Sequence, residues 1–374
     1  MPHRSARTMR GRPLRLVFWT WSVAVALALA SAALWSVDHG AGDWRVFVAA
    51  GSLVGTHALI APPQAWQIFV YLPGAAWAFV PVARLPLAVS FFIDAVLMLA
   101  CAAAAGAVAA RTYGLARAVG CGLYVLWAPV VYAAAIIGQN APFGLLLAQL
   151  TIAGIARRSF ALTALPLGLL LYKPTYALPL VAVLLLRARL REFGAVVVIG
   201  AGWYVVSAAA TGGDWRWPAE WAALIARYAP GDLSVNAAFV VSLPALLARA
   251  GAGLPAIAAI VALVAGAVAV AVRRADAVEA ASAACLAGVA LSPHALAYDA
   301  ALALPMIAFT ASRLAEPART RLLLALFIVA PLFFVSPLVR FDPLAFVVIG
   351  GTCAWLYVRL VPRKTAVSAS VRER

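Results

Sequence analysis

The sequence has little charge, and acidic residues are the scarcer kind. Asp and Glu together number 13 against 29 Lys and Arg, and charged residues make up 11% of a 374-residue chain that is 66% hydrophobic. This composition excludes a water-soluble globular protein and is typical of a chain that crosses a membrane several times. Because Gly/Ser-rich linkers and long charge blocks are also missing, we predict a single transmembrane domain over residues 1–374.

Cysteine is scarce as well, and no cysteine lies at a metal-binding spacing from another. The four cysteines stand singly in apolar segments, at Cys101, Cys121, Cys285 and Cys353. This distribution excludes a disulfide framework and a zinc site of the CxxC type. The sequence also lacks a Walker A loop, a GxGxxG turn, the HExxH and GxSxG motifs and a closely spaced acidic pair. These absences disfavour a soluble nucleotide-sugar enzyme, and we expect no bound metal.

Long apolar runs occupy most of the chain. A spanning helix needs about 20 apolar residues. Runs of roughly that length lie near residues 14–36, 87–110, 118–137, 142–156, 194–211, 254–272, 278–291, 296–313, 320–337 and 343–361. Two further segments are ambiguous, since 67–83 is short for a span and 160–187 is too long for one and is interrupted at Lys173-Pro174. Either path for these segments predicts an all-α polytopic protein with about 12 crossings.

The net charge of +16 is distributed in short basic clusters between the apolar runs. This pattern is typical of membrane topology and does not indicate a nucleic-acid partner. More basic residues fall on the cytoplasmic side if residues 67–83 form a re-entrant or juxtamembrane segment and residues 160–187 form two half-helices. We therefore prefer that arrangement.

The preferred arrangement fixes the expected side of each polar segment. The tails at residues 1–13 and 362–374 are expected in the cytoplasm, and the loops at residues 37–86 and 212–253 on the opposite side. The run at 14–36 is favoured as an uncleaved first helix over a signal peptide, because it is long and many more runs follow it.

The loop after the first apolar run carries an unusual number of ionisable side chains. It contains Asp38, Asp43 and Arg45 in an otherwise apolar protein. Because such charges are costly to keep beside a membrane, a functional role is the first hypothesis. A partly buried Asp43 carboxylate can accept a proton from a hydroxyl group. The alternatives are an exposed loop acid and an N-cap for the next helix.

Lys173 interrupts an apolar stretch in the sequence Leu-Leu-Tyr-Lys-Pro-Thr-Tyr. A lysine at this depth must find an anion, lose its proton or extend to the interface. A lipid-linked phosphate would be a suitable anion, whereas extension to the interface requires no ligand.

Two polar turns offer further ligand-binding groups. Ser292-Pro-His-Ala-Leu-Ala-Tyr-Asp299 brings His294, Tyr298 and Asp299 to near-helical spacing, where they can hold a sugar or a phosphate. A histidine that merely occupies a loop is the alternative. Gly138-Gln-Asn-Ala-Pro142 offers the amides of Gln139 and Asn140 to sugar hydroxyls, although turn chemistry alone explains most of this sequence.

Two other features receive no place in the predicted site. Asp94 lies inside an apolar run and has no assigned role. The aromatic cluster of Trp215, Trp217, Trp221 and Tyr228 favours a belt at the membrane surface over a sugar-stacking platform.

Six short stretches, in this order along the chain, resemble glycosyltransferase family 87, the polyprenol-phosphate-mannose-dependent mannosyltransferases. They are Asp43-Trp-Arg-Val-Phe, Phe69-Val-Tyr-Leu-Pro-Gly, Ala83-Arg-Leu-Pro86, Gly138-Gln-Asn, Gly168-Leu-Leu-Leu-Tyr-Lys-Pro174 and Ser292-Pro-His-Ala-Leu-Ala-Tyr-Asp299, and they span about residues 40–300. The resemblance implies a GT-C type bundle of transmembrane helices whose first non-cytoplasmic loop carries short juxtamembrane helices. It departs from the family pattern where Phe69-Val-Tyr-Leu-Pro lacks a second proline.

The resemblance also implies an activity and its participants. A hexose, mannose in the family, would pass from a polyprenyl-phosphate donor to a lipid or glycan acceptor on the non-cytoplasmic face of the inner membrane. Asp43 would be the base on the acceptor hydroxyl, and His294 would contact the donor. The lipid-linked sugar is a co-substrate, and no cofactor is expected.

The remaining expectations follow from the chemistry of that step. A cation, Lys173 or Arg340, would stabilise the departing phosphate, and a one-step displacement would invert the anomeric centre without a metal. We expect substrate contacts from Gln139, Asn140, Tyr71, Arg45, Tyr298 and Asp299. The competing hypotheses are a secondary transporter or lipid flippase and a non-catalytic membrane subunit.

Overall fold

The structure, a computed structural model, describes residues 34, 42–64 and 67–361. The predicted first span at 14–36, Asp38 and the two predicted tails therefore lie wholly or almost wholly outside the described residues. Within the described ranges the protein is helical, and extended pairing is limited to an isolated antiparallel bridge between Val240 and Leu296. This agrees with the predicted all-α class.

The α-helices follow one another with short connections. The first half of the described chain contains α1 (Trp44–Leu53), α2 (Leu87–Tyr113), α3 (Arg117–Leu126), α4 (Ala128–Tyr132), α5 (Ala141–Ala156), α6 (Phe160–Leu170), α7 (Pro174–Leu186) and α8 (Leu190–Ala210). The second half contains α9 (Trp217–Val235), α10 (Leu243–Arg249), α11 (Leu254–Arg274), α12 (Ala277–Leu291), α13 (Leu304–Arg313), α14 (Glu316–Val329), α15 (Ser336–Val339) and α16 (Gly351–Leu360).

Shorter helical turns connect these elements. The 3-10 turns are His57–Leu59, Pro73–Phe79, Val82–Arg84, Ala237–Phe239, Ala297–Ala303 and Ala330–Val335, and the π-helical turns are Ala133–Ile137 and Phe346–Gly350. The segment 67–83, which is ambiguous by sequence, therefore forms short turns, because its prolines prevent a continuous α-helix. The long apolar segment 160–187 is divided into α6 and α7 at Lys173-Pro174, as its sequence predicts.

Three helices of the described chain, α2, α8 and α11, are long and apolar enough to span a bilayer. A fourth candidate is the pair Arg117–Leu126 and Ala128–Ile137, which is bent by 54°. Several shorter apolar helices accompany them, among them α5, α6, α7 and α12. The protein is thus a membrane protein that is helical throughout its described regular structure, while the count of about 12 crossings stays a prediction.

Small residues let the helices pack closely. A Cβ added at Gly106 on α2 would lie 2.6 Å from the carbonyl oxygen of Gly120 on α3, so both backbones need glycine at this crossing. The centre of the bundle is α12, whose residues are almost all buried. Its Glu279 accepts hydrogen bonds from Trp355 Nε1 at 2.9 Å and Arg359 Nε at 2.5 Å, which fasten α16 to it.

Candidate active site

One cavity of about 360 Å³ collects polar side chains from six segments of the described chain. Its wall is formed by the start of α1, residues 68–71, the turn before α5, the start of α7, one face of α9 and the turn after α12. Of the predicted site residues, it is lined by Asp43, Tyr71, Gln139, Lys173, His294, Tyr298 and Asp299. These residues are up to 256 positions apart in sequence, and the fold brings them to one space.

Asp43 stands at the N-cap position of α1, but its side chain makes no capping bond. Its carboxylate Oδ2 instead accepts a hydrogen bond from Gln139 Nε2 at 2.6 Å, and its backbone N–H donates to Ile137 O at 2.9 Å. The residue is half-buried, which raises the pKa of its carboxyl, and the Gln139 bond partly offsets that rise. The structure therefore favours a carboxylate held inside the cavity over an N-cap or an exposed loop acid.

Gln139 is placed by the glycine before it. Gly138 has φ +66°, and a Cβ there would lie 2.5 Å from Trp44 Cβ, so only glycine fits this turn against α1. The Gln139 side chain also accepts a hydrogen bond from Tyr71 OH at 2.6 Å. Tyr71, Gln139 and Asp43 thus form a hydrogen-bonded chain along one wall of the cavity.

Lys173 is a half-buried cation in the wall of the cavity. Its Nζ lies 2.7 Å from Asp299 Oδ1 and 3.9 Å from the ring centroid of Tyr176. Tyr176 OH donates to the same Asp299 oxygen, and Leu296 N donates to Asp299 Oδ2 at 2.9 Å. Of the three outcomes predicted for this lysine, the structure shows pairing with an anion, and the anion is the Asp299 carboxylate of the protein itself.

Further aromatic rings surround this ion pair. Lys173 Nζ lies 5.2 Å from the ring centroid of Tyr298 and 5.5 Å from that of Tyr71. Rings within about 6 Å attract a cation through their π faces. The sequence predicts a helix that contains Tyr298 and Asp299, and the structure forms a 3-10 turn there, with the Asp299 carboxylate bonded to the backbone at its start.

His294 forms an ion pair that was not predicted from the sequence. Its Nε2 contacts Asp232 Oδ2, and Asp232 Oδ1 also accepts from Tyr228 OH at 2.5 Å and from Asn236 Nδ2 at 3.0 Å. Burial of the imidazole favours its neutral form, but the Asp232 contact outweighs burial and raises the pKa of His294. Burial likewise opposes ionisation of Asp232, yet its bonds with His294 and Tyr228 lower its pKa overall.

Two signals in the sequence could have marked Asp232 as a candidate site residue, although neither indicates His294 as its partner. Tyr228, Asp232 and Asn236 recur every four residues and so share one face of a helix, and acidic residues are rare in this chain. Trp221 and Ile225 extend the same face, and the whole stripe lines the cavity. Trp221 and Tyr228, which the sequence favours as part of an aromatic belt, lie in the cavity wall.

Three predicted substrate-binding residues are not among those that line this cavity. Asn140 is buried beside it, where its carbonyl accepts a hydrogen bond from Tyr172 OH at 3.3 Å. Arg45 is exposed on α1. Arg340 is exposed at the end of α15, and its carbonyl accepts a hydrogen bond from Arg249. Of the two predicted phosphate-binding cations, the cavity therefore contains Lys173.

One cluster in the described chain has the composition of a metal site. Potential ligand atoms of His57, Asp214 and Glu220 lie within 4.8 Å of one another. His57 Nε2 is 2.7 Å from Glu220 Oε2 and 3.9 Å from Asp214 Oδ2, and the His57 and Glu220 side chains are largely exposed. An exposed histidine–carboxylate pair accounts for this geometry without an ion. None of the three residues lines the cavity.

Asp94 is buried on α2, one of the spanning candidates. Its Oδ2 has no hydrogen-bond partner among the described residues. A buried carboxylate oxygen without a partner is energetically unfavourable, and the residue still has no assigned role.

The fold and the cavity define a membrane protein with a buried polar site that can bind and deprotonate a polar substrate. The model of glycosyltransferase family 87 matches residues 69–293, and the chain belongs to this family. It is accordingly a glycosyltransferase. The matched range contains Tyr71, Gln139 and Lys173, while Asp43 precedes it and His294 follows it directly. Neither a curated protein nor a solved structure gives a match to the chain.

Proposed function

We propose that the protein transfers a hexose, mannose by analogy with the family resemblance, from a polyprenyl-phosphate donor to a hydroxyl group of a lipid or glycan acceptor. The observation that carries this proposal is that one cavity contains the half-buried Asp43 carboxylate and two cations, Lys173 and His294. Each cation is paired with an aspartate of the protein. Its volume of about 360 Å³ is within the range typical of small-molecule sites.

The proposed reaction is a single displacement. Asp43 takes the proton of the acceptor hydroxyl as the acceptor oxygen bonds to the anomeric carbon. The bond from that carbon to the phosphate oxygen breaks, and the phosphate leaves with the electron pair. Attack from the side opposite the phosphate inverts the anomeric centre. The raised pKa of Asp43 supports this role, because a stronger base takes the proton more readily.

The leaving phosphate needs positive charge or hydrogen-bond donors as the bond breaks. Lys173 uses one of its ammonium protons toward Asp299 and retains others for a ligand. His294 lines the same cavity. Because protein groups supply these donors, the proposed displacement requires no metal ion.

A second cavity supports a lipid-linked donor. It has a volume of about 410 Å³ and is almost entirely apolar, and it lies between α7, α11 and α12. It shares Pro174, Thr175 and Pro293 with the polar cavity, next to Lys173 and His294. A molecule with an anionic head and a long hydrocarbon chain matches this junction of polar and apolar space, whereas a nucleotide sugar has no hydrocarbon to place there.

The test uses the purified protein in liposomes with a lipid acceptor extract. We expect label to pass to an acceptor from polyprenyl-phosphate [³H]mannose and not from a nucleotide-linked mannose, with the same rate after chelation of divalent metals. A glucose-bearing donor used equally well would correct the sugar. Movement of the labelled donor across sealed vesicles without a covalent product would replace this proposal with a transporter or flippase.

A further inference from the structure

We propose that Asp232 is a positioning residue that holds His294 in one orientation and in its charged form for contact with the departing phosphate. The geometry that carries this inference is the contact of Asp232 Oδ2 with His294 Nε2 inside the cavity. The inference rests on the proposed transfer reaction for its catalytic consequence. Its structural part concerns the protein without substrate.

Asp232 is itself fixed by two neutral donors. Tyr228 OH and Asn236 Nδ2 both donate to Oδ1, one helical turn before and after it on α9. With Oδ1 occupied in this way, Oδ2 is directed to the imidazole. The Asp232 side chain is 10% exposed, so water screens the pair weakly. This arrangement joins helix α9 to the turn that follows α12.

The His294 backbone is constrained from the other side. Its N–H donates to Ser292 Oγ at 3.3 Å, and the same hydroxyl donates to His294 O at 2.9 Å. With Nε2 committed to Asp232, Nδ1 is the ring nitrogen left for a ligand. An imidazolium carries a proton on both nitrogens, so a charged His294 can donate from Nδ1 to a phosphate oxygen while it donates from Nε2 to Asp232.

Other charged groups also act on His294, but with opposing signs. Asp299 raises the pKa of the imidazole, and Lys173 lowers it. Lys173 and Asp299 are paired with each other, and their effects on His294 are smaller than that of Asp232. Asp232 is in direct contact with the imidazole. It is therefore the residue that keeps His294 protonated at pH values above the ordinary histidine pKa of about 6.5.

The matched substitutions are Asp232→Asn and Asp214→Asn. Both remove one carboxylate beside a histidine, but Asp214 faces His57 outside the cavity. The chain has four histidines, so isotope labelling of histidine gives few signals, and His294→Gln identifies the signal of His294. The titration is recorded in nanodiscs without substrate and thus does not depend on any catalytic activity.

We expect Asp232→Asn to lower the pKa of His294 by about one to three units, as loss of an opposite charge at contact distance does. Asp214→Asn should leave it unchanged. In the transfer assay, the ratio of wild-type to Asp232→Asn rates should be larger at neutral pH than below the new pKa of His294, where both proteins carry a charged imidazole and the loss of orientation alone remains. A structural defect would instead lower the rate by a similar factor at every pH.

A His294 titration that is the same in Asp232→Asn and the wild type would overturn the inference. If Asp232→Asn does not fold, the wild-type titration decides alone, since a His294 pKa below about 6.5 contradicts a charge-holding partner. If the wild type catalyses no transfer but the histidine shift is observed, the positioning contact stands and the proposed function fails.

Discussion

Gln139 donates a hydrogen bond to Asp43 across 96 residues of sequence, with 2.6 Å between Nε2 and Oδ2. The same amide accepts from Tyr71, so its oxygen is occupied and its nitrogen is directed to the carboxylate. This bond stabilises the ionised form of Asp43 and opposes the effect of burial on its pKa.

Gln139→Met should move the pH dependence of transfer. Loss of the donor raises the pKa of Asp43 further, because the carboxylate is left with less stabilisation. The base must be ionised to act, so the acidic limb of the kcat/KM profile should shift to higher pH. A profile that falls equally at all pH values would assign Gln139 to substrate contact and contradict this role.

The Lys173–Asp299 pair should behave as a unit in stability measurements. Removing one member of a buried pair typically costs about 3–5 kcal/mol, because the other charge is left unpaired. Lys173→Met and Asp299→Asn should each lower the melting temperature in detergent. The double variant should be less destabilised than the sum of the two, and additive effects would show that the two side chains are not coupled.

Asp342 should make folding stability fall as the pH rises. Its carboxyl is fully buried, and burial raises its pKa to about 7. An unfolded aspartate ionises near pH 3.9, so between about pH 4 and about pH 7 the unfolded state loses this proton first and stability decreases with pH. In Asp342→Asn the loss of melting temperature between about pH 5 and about pH 8 should be smaller. An equal loss of melting temperature in both proteins would show that the Asp342 carboxyl is already ionised in the folded protein over this pH range.

Cysteine labelling tests the predicted topology. Ser234, in the loop at 212–253, and Arg158, between α5 and α6, are both exposed and are predicted on opposite sides of the membrane. The native Cys353 is exposed, so the substitutions need a cysteine-free background. Ser234→Cys should react with an impermeant maleimide in intact cells, and Arg158→Cys only after permeabilisation. The reverse pattern would invert the assigned orientation.

Local rules predict several parts of this structure from sequence. Proline after Lys173 separates α6 from α7 because proline cannot continue the preceding helix hydrogen bonds. Charged residues in an apolar chain indicate which side chains need a special environment, and Asp43, Lys173 and His294 do line one cavity.

The pairing of those charges was beyond sequence reasoning. Asp232 is 62 residues from His294, and Asp299 is 126 residues from Lys173. No periodicity within one helix indicates such partners, because their proximity depends on how α7, α9 and the turn after α12 pack. The position of Arg340, which is exposed and does not line the cavity, could not be predicted for the same reason, because it depends on how α15 packs in the fold.

The most direct measurement is the transfer rate of Asp43→Asn with a labelled polyprenyl-phosphate sugar. Asn keeps an oxygen that can accept from Gln139 Nε2 but cannot take a proton from the acceptor. We expect kcat to fall by about 10²–10⁴-fold, while the melting temperature and membrane insertion stay those of the wild type. Asp214→Asn, outside the cavity, provides the matched control and should retain its activity. Wild-type transfer by a folded Asp43→Asn protein would contradict the assignment of Asp43 as the base.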